Sequence, residues 1–370
     1  MAATPAHCDS LPQRISIELN PAYNIVSHYA LRGSMTDGDV LESALSLHAE
    51  YAFSFREDSP LGKLYPTAYQ GIGIAAFTLY HHDLIGTPLA IYMLQGARLA
   101  DLSDKLSLGY EWRFGLSWGW HPNEAMNSRC NVVVGVALPL TWHITPKWEL
   151  SLTPNFAHIS NGDTSFSNSG ANTFGLLFGA TRLFNPEKAN TQQPPYLAPS
   201  AEHQSRSIAQ RLTYDMVLYG GWRADRFMQD GMFIYIDKAL PIGGIQLTPL
   251  YHLNHYFAIG PSLDIQIDSS LNLFDATKDE QSGEMSFKRP PLWQQTEVGV
   301  SLRGEISAPI FSIGVGFGVN LFKHGYDMSR IYTQFVLKAH IHEPLFLFAG
   351  YRFNAVQYTH NLMFGLGIRL

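Results

Sequence analysis

From Leu106 to Trp120 the chain keeps a strict period of two. The even positions read Leu106, Leu108, Tyr110, Trp112, Phe114, Leu116, Trp118 and Trp120. The odd positions read Ser107, Gly109, Glu111, Arg113, Gly115, Ser117 and Gly119. Successive side chains of a strand point to opposite faces, so one face here is bulky and apolar and the other is small, polar or charged. A soluble sheet rarely carries such a long, aromatic-rich face. A strand with lipid outside and a polar lumen inside accounts for both faces. Trp118 and Trp120, at the end of the run, are expected in an interfacial aromatic girdle.

The pattern recurs. Leu45, Leu47, Ala49, Tyr51, Phe53 and Phe55 alternate with Ser46, His48, Glu50, Ala52 and Ser54. The chain ends on Leu362, Phe364, Leu366, Ile368 and Leu370, again at every second position. No run of about 18 apolar residues occurs, so the sequence predicts no transmembrane helix. Charged residues are 15% of the chain, below the roughly 25% of soluble domains. Aromatics are 13%, yet the mean hydropathy is only -0.06. Few charges, many rings and near-zero mean hydropathy together predict an all-β, transmembrane, antiparallel up-and-down barrel. The net charge of -6 gives no basic footprint for nucleic acid. Two cysteines, Cys8 and Cys130, are too few for a disulfide framework or a thiolate metal site. Met1 to Ser10 carry neither the basic nor the apolar run of an export signal, so an exported barrel would be represented here by its mature form.

Strands are expected near 14–26, 41–56, 66–80, 88–100, 106–120, 130–143, 147–160 and 172–184. A second set is expected near 211–222, 245–254, 257–268, 293–306, 309–322, 330–341, 344–355 and 361–370. Residues 185–208, rich in Pro, Gln and Asn, read as a linker. The expected organisation is therefore a barrel of about eight strands over 1–184, the linker 185–208, and a second unit of about eight strands over 209–370. One barrel of about 16 strands is the alternative. Met232 to Ala239 breaks the parity of in and out and is expected in an extracellular loop. Short connections such as Thr145-Pro146-Lys147 are expected as periplasmic turns, which puts the loop 161–171 outside the cell.

On the strand 147–160 the apolar face is Trp148, Leu150, Leu152, Pro154, Phe156, and then His158 and Ser160. Two polar groups, two residues apart, thus project toward the acyl chains near the leaflet boundary. Polar groups there need partners. Asn172 lies on the apolar face of the next strand, with Phe174, Leu176 and Phe178, and reaches the same spot across the hairpin. A His beside a Ser is the pairing that turns a weak hydroxyl into a nucleophile, with a third group to hold the imidazole in one tautomer. The plainer reading is an interfacial His and Ser that touch headgroups.

His158-x-Ser160-Asn161-Gly162, followed by Asn168-x-Gly170 and a strand with Gly and aromatics, resembles the signature of the outer-membrane lipid A 3-O-deacylase (PagL) family. It is most similar to the acyloxyacyl hydrolase variants of Bacteroidetes. Ile85-Gly86-Thr87-Pro88 and the run from Trp142 to Phe184 fit the same pattern, and the resemblance covers roughly residues 40–184. It implies a serine esterase that cuts ester-linked acyl chains from lipid A of lipopolysaccharide in the outer leaflet. Ser160 would be the nucleophile and His158 the base. The Asn168 side chain and the Gly162 backbone N–H would form the oxyanion hole. The family's third triad member is a Glu, and the matching position here is Asn172. No cofactor or metal is implied, and the partners are lipopolysaccharide and membrane lipid.

Other polar clusters have plainer readings. His340-x-His342-Glu343 could hold a metal but sits at a strand end, where polar residues are expected. His252 and His255 flank a tight turn, and His81-His82 fall in a loop. Glu111, Arg113, Asp264, Asp268, Glu297 and Arg303 point inward and are expected to pair in the lumen. In one wide barrel they would instead line a pore, which makes a channel the rival function, beside a non-catalytic docking barrel. No chemistry is expected in the second half.

Overall fold

Alternating faces call for a closed sheet, because in lipid every backbone N–H and C=O must be bonded within the sheet and an open edge leaves a row of them bare. The computed structural model describes residues 11–25, 42–80, 82–122, 126–165, 170–192, 207–224, 226–229, 232–235, 238–278, 285–322, 324, 329–354 and 358–370. The chain divides into two units. One comprises Met1–Ser160 and Ser169–Pro194, the other Asn161–Asn168 and Pro195–Leu370.

The first unit contains β1 (Gln13–Ile25), β2 (Ser43–Phe53), β3 (Tyr69–Thr78), β4 (Gly86–Ser103) and β5 (Leu106–Trp120). It continues with β6 (Cys130–Ala137), β7 (Leu140–Thr145), β8 (Trp148–Ser160) and β9 (Ala171–Phe184). The strands pair in the order β4-β3-β2-β1-β9-β8-β6-β5, and β4 pairs with β5. Strands β6 and β7 both lie between β5 and β8, so nine strands occupy eight places in a ring with no free edge. The single strand expected over 130–143 is thus two. The break falls at Leu138-Pro139, where proline has no N–H to give to a ladder.

The second unit contains β10 (Leu212–Arg223), β11 (Arg226–Gln229), β12 (Met232–Tyr235), β13 (Leu240–His252), β14 (Phe257–Asp268), β15 (Phe274–Lys278) and β16 (Met285–Lys288). It ends with β17 (Thr296–Ser307), β18 (Phe311–Phe322), β19 (Ile331–His342), β20 (Leu345–Asn354) and β21 (Tyr358–Arg369). Here β10-β13-β14-β17-β18-β19-β20-β21 form a closed barrel, with β21 paired back onto β10. The pairs β11–β12 and β15–β16 stand apart as two-stranded sheets. The segment that spoiled the parity, Met232–Tyr235, therefore lies outside the barrel wall.

Both rings turn apolar side chains outward. Ile17, Ile74 and Leu150 are exposed on the first, and Leu218, Leu302 and Phe317 on the second. Among the described residues no helix is long and apolar enough to cross a membrane, and each wall is that of a transmembrane β-barrel. The interiors are filled with paired charge. In the first ring the Arg113 guanidinium lies 2.5 Å from Glu18, 2.8 Å from Glu111 and 3.0 Å from Glu50. In the second, Arg303 pairs with Asp264 at 2.6 Å and Arg352 with Glu297 at 3.4 Å.

One girdle residue departs from its expected place. Trp118 faces outward, 44% exposed, but Trp120 is 2% exposed and its Nε1 donates to Ser117 Oγ at 2.8 Å. The cause is local. Gly119 has φ of 90°, which glycine adopts without a Cβ clash, and this turn of the backbone ends the alternation one residue early.

Candidate active site

The outward face of β8 runs Leu150, Leu152, Pro154 and Phe156 before it reaches His158 and Ser160. Across the β8–β9 hairpin, Phe156 faces Phe174 and His158 faces Asn172 directly. On an antiparallel rung, directly opposed side chains share a face and sit close enough to touch. The register alone therefore brings the imidazole and the amide together. Ser160, two residues further along β8, joins them from the same strand.

The distances are those of a hydrogen-bonded relay. Asn172 Oδ1 is 2.8 Å from His158 Nδ1, and His158 Nε2 is 2.9 Å from Ser160 Oγ. An amide oxygen only accepts, so His158 donates through Nδ1–H. That leaves the Nε2 lone pair to accept the Ser160 hydroxyl proton. Ser160 is buried, at 6% exposure, whereas Phe156 and Phe174 beside it are exposed.

A glycine lets the chain pass over this relay. Gly170 has φ of 64°, and a Cβ placed there would stand 2.9 Å from His158 Cε1 and 3.2 Å from Ser160 Cβ. Both the left-handed backbone and the close approach call for glycine. The sequence marked Gly170 only as a motif position; its packing role depends on where the returning chain crosses β8. From the Phe156–Phe174 rung a shallow outer groove of ≈ 470 Å³ continues, lined by Pro21, Tyr23, Pro154, Phe174 and Leu176 among others.

Of the five residues singled out in the sequence, Ser160, His158 and Asn172 meet. Gly162 has a left-handed φ of 63° in the turn after β8, where Asn161 Oδ1 accepts from the Asp163 N–H at 2.9 Å. Asn168 lies outside the described residues. Elsewhere, among the described residues, no group of three or more His, Cys, Asp or Glu is arranged to hold a metal ion. His340 is bonded to Ser312 at 3.0 Å, His252 to Thr213 at 3.0 Å and His82 to Thr87 at 3.2 Å. His81 is outside the described residues.

Comparison with known proteins gives a match to one family model. Residues 212–370 match the family model described as the C-terminal domain of acyloxyacyl hydrolase. This match covers the second barrel, so His158, Ser160 and Asn172 lie before it. No curated protein matches the chain. Among solved structures, Neisserial surface protein A is similar over 46% of this chain and 97% of its own, at 12% identity and a TM-score of 0.32. CdiB from Acinetobacter baumannii is similar over 97% of this chain and 60% of its own, at 12% identity and a TM-score of 0.20. The siderophore receptor PirA from Pseudomonas aeruginosa is similar over 98% of this chain and 81% of its own, at 8% identity and a TM-score of 0.25. Likenesses this low say nothing of shared function. The second closed barrel, over 212–370, thus carries the C-terminal domain of the acyloxyacyl hydrolase family.

Proposed function

We propose that the chain is an outer-membrane serine esterase that removes ester-linked acyl chains from lipid A of lipopolysaccharide. The observation that carries this reading is the Ser160–His158–Asn172 relay, at 2.9 and 2.8 Å, on the outward face of the first barrel. A nucleophile and base that face the acyl chains, beside exposed Phe156 and Phe174, are placed for a lipid that diffuses in the plane of the leaflet. The family match supports an acyloxyacyl hydrolase, and a domain described as C-terminal leaves residues before 212 to supply the chemistry.

The proposed reaction is acyl transfer in two halves. Ser160 Oγ attacks the ester carbonyl as its proton passes to His158 Nε2. The imidazolium then gives that proton to the departing alkoxide, and water, activated by the same base, releases the fatty acid and restores the serine. Asn172 holds Nδ1–H and so fixes the tautomer; being neutral, it lends the imidazolium no counter-charge. Gly162 N–H and the Asn168 side chain are the proposed oxyanion donors. One acyl chain would lie along the outer groove past Pro154 and Leu176. The rival channel reading has to contend with buried ion pairs in both interiors, such as Arg113 with its three carboxylates and Arg303 with Asp264.

The test is expression in the outer membrane of a host of known lipid A, with mass spectra compared for the native protein and Ser160→Ala. The expected outcome is loss of one acyl or hydroxyacyl mass with the native protein and an unchanged lipid A with the mutant. An unchanged spectrum with both, from barrels shown to be folded, would reject the reading for that lipid A.

A further inference from the structure

The first barrel holds a second relay, on its inner face. Glu149, near the start of β8, is the direct rung partner of His143 on β7. Ser107 on β5 is the rung partner of Thr141, two residues from His143 on the same face of β7. Glu149 Oε1 is 2.8 Å from His143 Nδ1, and His143 Nε2 is 3.0 Å from Ser107 Oγ. The carboxylate accepts Nδ1–H, which again leaves Nε2 to take the serine proton. Ser107 and Glu149 are buried, at 4% and 8% exposure, while the ring between them is partly open.

All three side chains line a cavity of ≈ 180 Å³ at the end of the barrel that carries the Thr145–Trp148 turn. Arg14, Arg98, Tyr69 and Thr141 line it too. The Arg14 guanidinium stacks on the Tyr69 ring at 4.1 Å and lies 3.6 Å from Glu149. A hydroxyl, an imidazole and a carboxylate in this order need no companion to be a sound structural tie between three strands. What a tie does not need is a cavity that opens onto the serine, with two arginines in its wall.

We propose that Ser107, His143 and Glu149 form a second esterase site, for small esters that carry a negative charge. Ser107 Oγ bonds to the ester carbonyl carbon, its proton moves to His143 Nε2, and the ester C–O bond breaks as that proton passes to the leaving alcohol. Water then adds to the acyl-serine, the Oγ–C bond breaks, and the carboxylic acid leaves. Arg14 and Arg98 supply the positive wall that selects the anion, and Glu149 stabilises the imidazolium.

Diisopropyl fluorophosphate separates this site from the outer one, because it leaves a phosphoryl group on whichever serine displaces its fluoride. The purified full chain and its Ser160→Ala variant are treated in detergent micelles, and the labelled peptides are identified by mass. Ser107 is expected to be labelled in both proteins. Loss of the base in His143→Gln, or in His143→Ala should the first not fold, is expected to slow Ser107 labelling roughly 100-fold or more. In the Ser160→Ala protein, hydrolysis of 4-nitrophenyl hemisuccinate should persist and be faster than that of 4-nitrophenyl acetate. Absence of label on Ser107 in a folded Ser160→Ala barrel overturns the proposal, as does equal labelling with and without His143. Label at Ser160 alone would do so while leaving the outer site intact.

Discussion

At the scale of single residues, the outer relay differs from a Ser-His-carboxylate triad in one atom set. Asn172 offers an amide oxygen where the family's pattern has a carboxylate. Its Oδ1 still accepts Nδ1–H at 2.8 Å, so the tautomer is held while the charge is missing. Two substitutions separate these roles. Asn172→Leu keeps the volume, removes the acceptor and frees the ring, and deacylation measured as initial rate should fall by roughly 100-fold or more. Asn172→Asp keeps an acceptor and adds the charge, so its kcat should exceed that of the native protein. A rate for Asn172→Leu equal to the native one would mean that Asn172 does not orient His158. The sequence displayed this trio plainly, because period two put His158 and Ser160 on one face and a short hairpin brought Asn172 opposite. It did not display the inner relay. Ser107 and His143 are 36 residues apart and meet because β7 keeps on β5 the register that β6 sets, a cross-strand pairing that hydropathy does not give.

At the scale of elements, the β8–β9 hairpin is the scaffold of the outer site, and Gly170 is where the returning chain crosses it. Gly170→Ala asks for a strained left-handed backbone and sets a methyl within 2.9 Å of His158 Cε1. The ring has to move. The expected result is a barrel that folds and shows the usual heat-modified mobility on gels, with deacylase activity lost or cut at least 10-fold, since small misplacements of a catalytic group are costly. Full activity in this variant would show that the ring tolerates displacement. Strand positions were legible almost throughout, because a lipid-facing wall writes its alternation into every strand. The strands Phe274–Lys278 and Met285–Lys288 were not expected, and two other departures sit where backbone dihedrals, invisible to hydropathy, take over. Gly119 at φ 90° buried Trp120, and Pro139 split one expected strand in two.

At the scale of the molecule, the two walls are separately closed and their interiors are tied by charge. The first interior sets three carboxylates, Glu18, Glu50 and Glu111, around the one Arg113 guanidinium. Arg113→Met would leave these buried acids without their cation, and breaking a buried pair costs roughly 3–5 kcal/mol. Urea unfolding in micelles, followed by tryptophan fluorescence, should show a midpoint clearly below that of the native protein. An unchanged midpoint would mean that water already reaches the cluster. The same packing predicts that the native chain, reconstituted in a planar bilayer, passes no steady single-channel current; ohmic steps of constant size would establish a pore instead.

The placement of His158 opposite Asn172 on one rung has a consequence for which bond is reached. Because the acceptor and the base are defined by register, the constellation works as a depth gauge. A strand rises roughly 3.4 Å per residue, so moving the same pair two positions along the hairpin would carry the nucleophile about 7 Å, before correction for strand tilt, through an apolar band about 25 Å tall. Ester carbonyls of a lipid lie at fixed heights below its headgroup. Selectivity among them would then be set by how far along β8 the serine sits, as a ruler selects a mark, without any pocket shaped to tell one carbonyl from another.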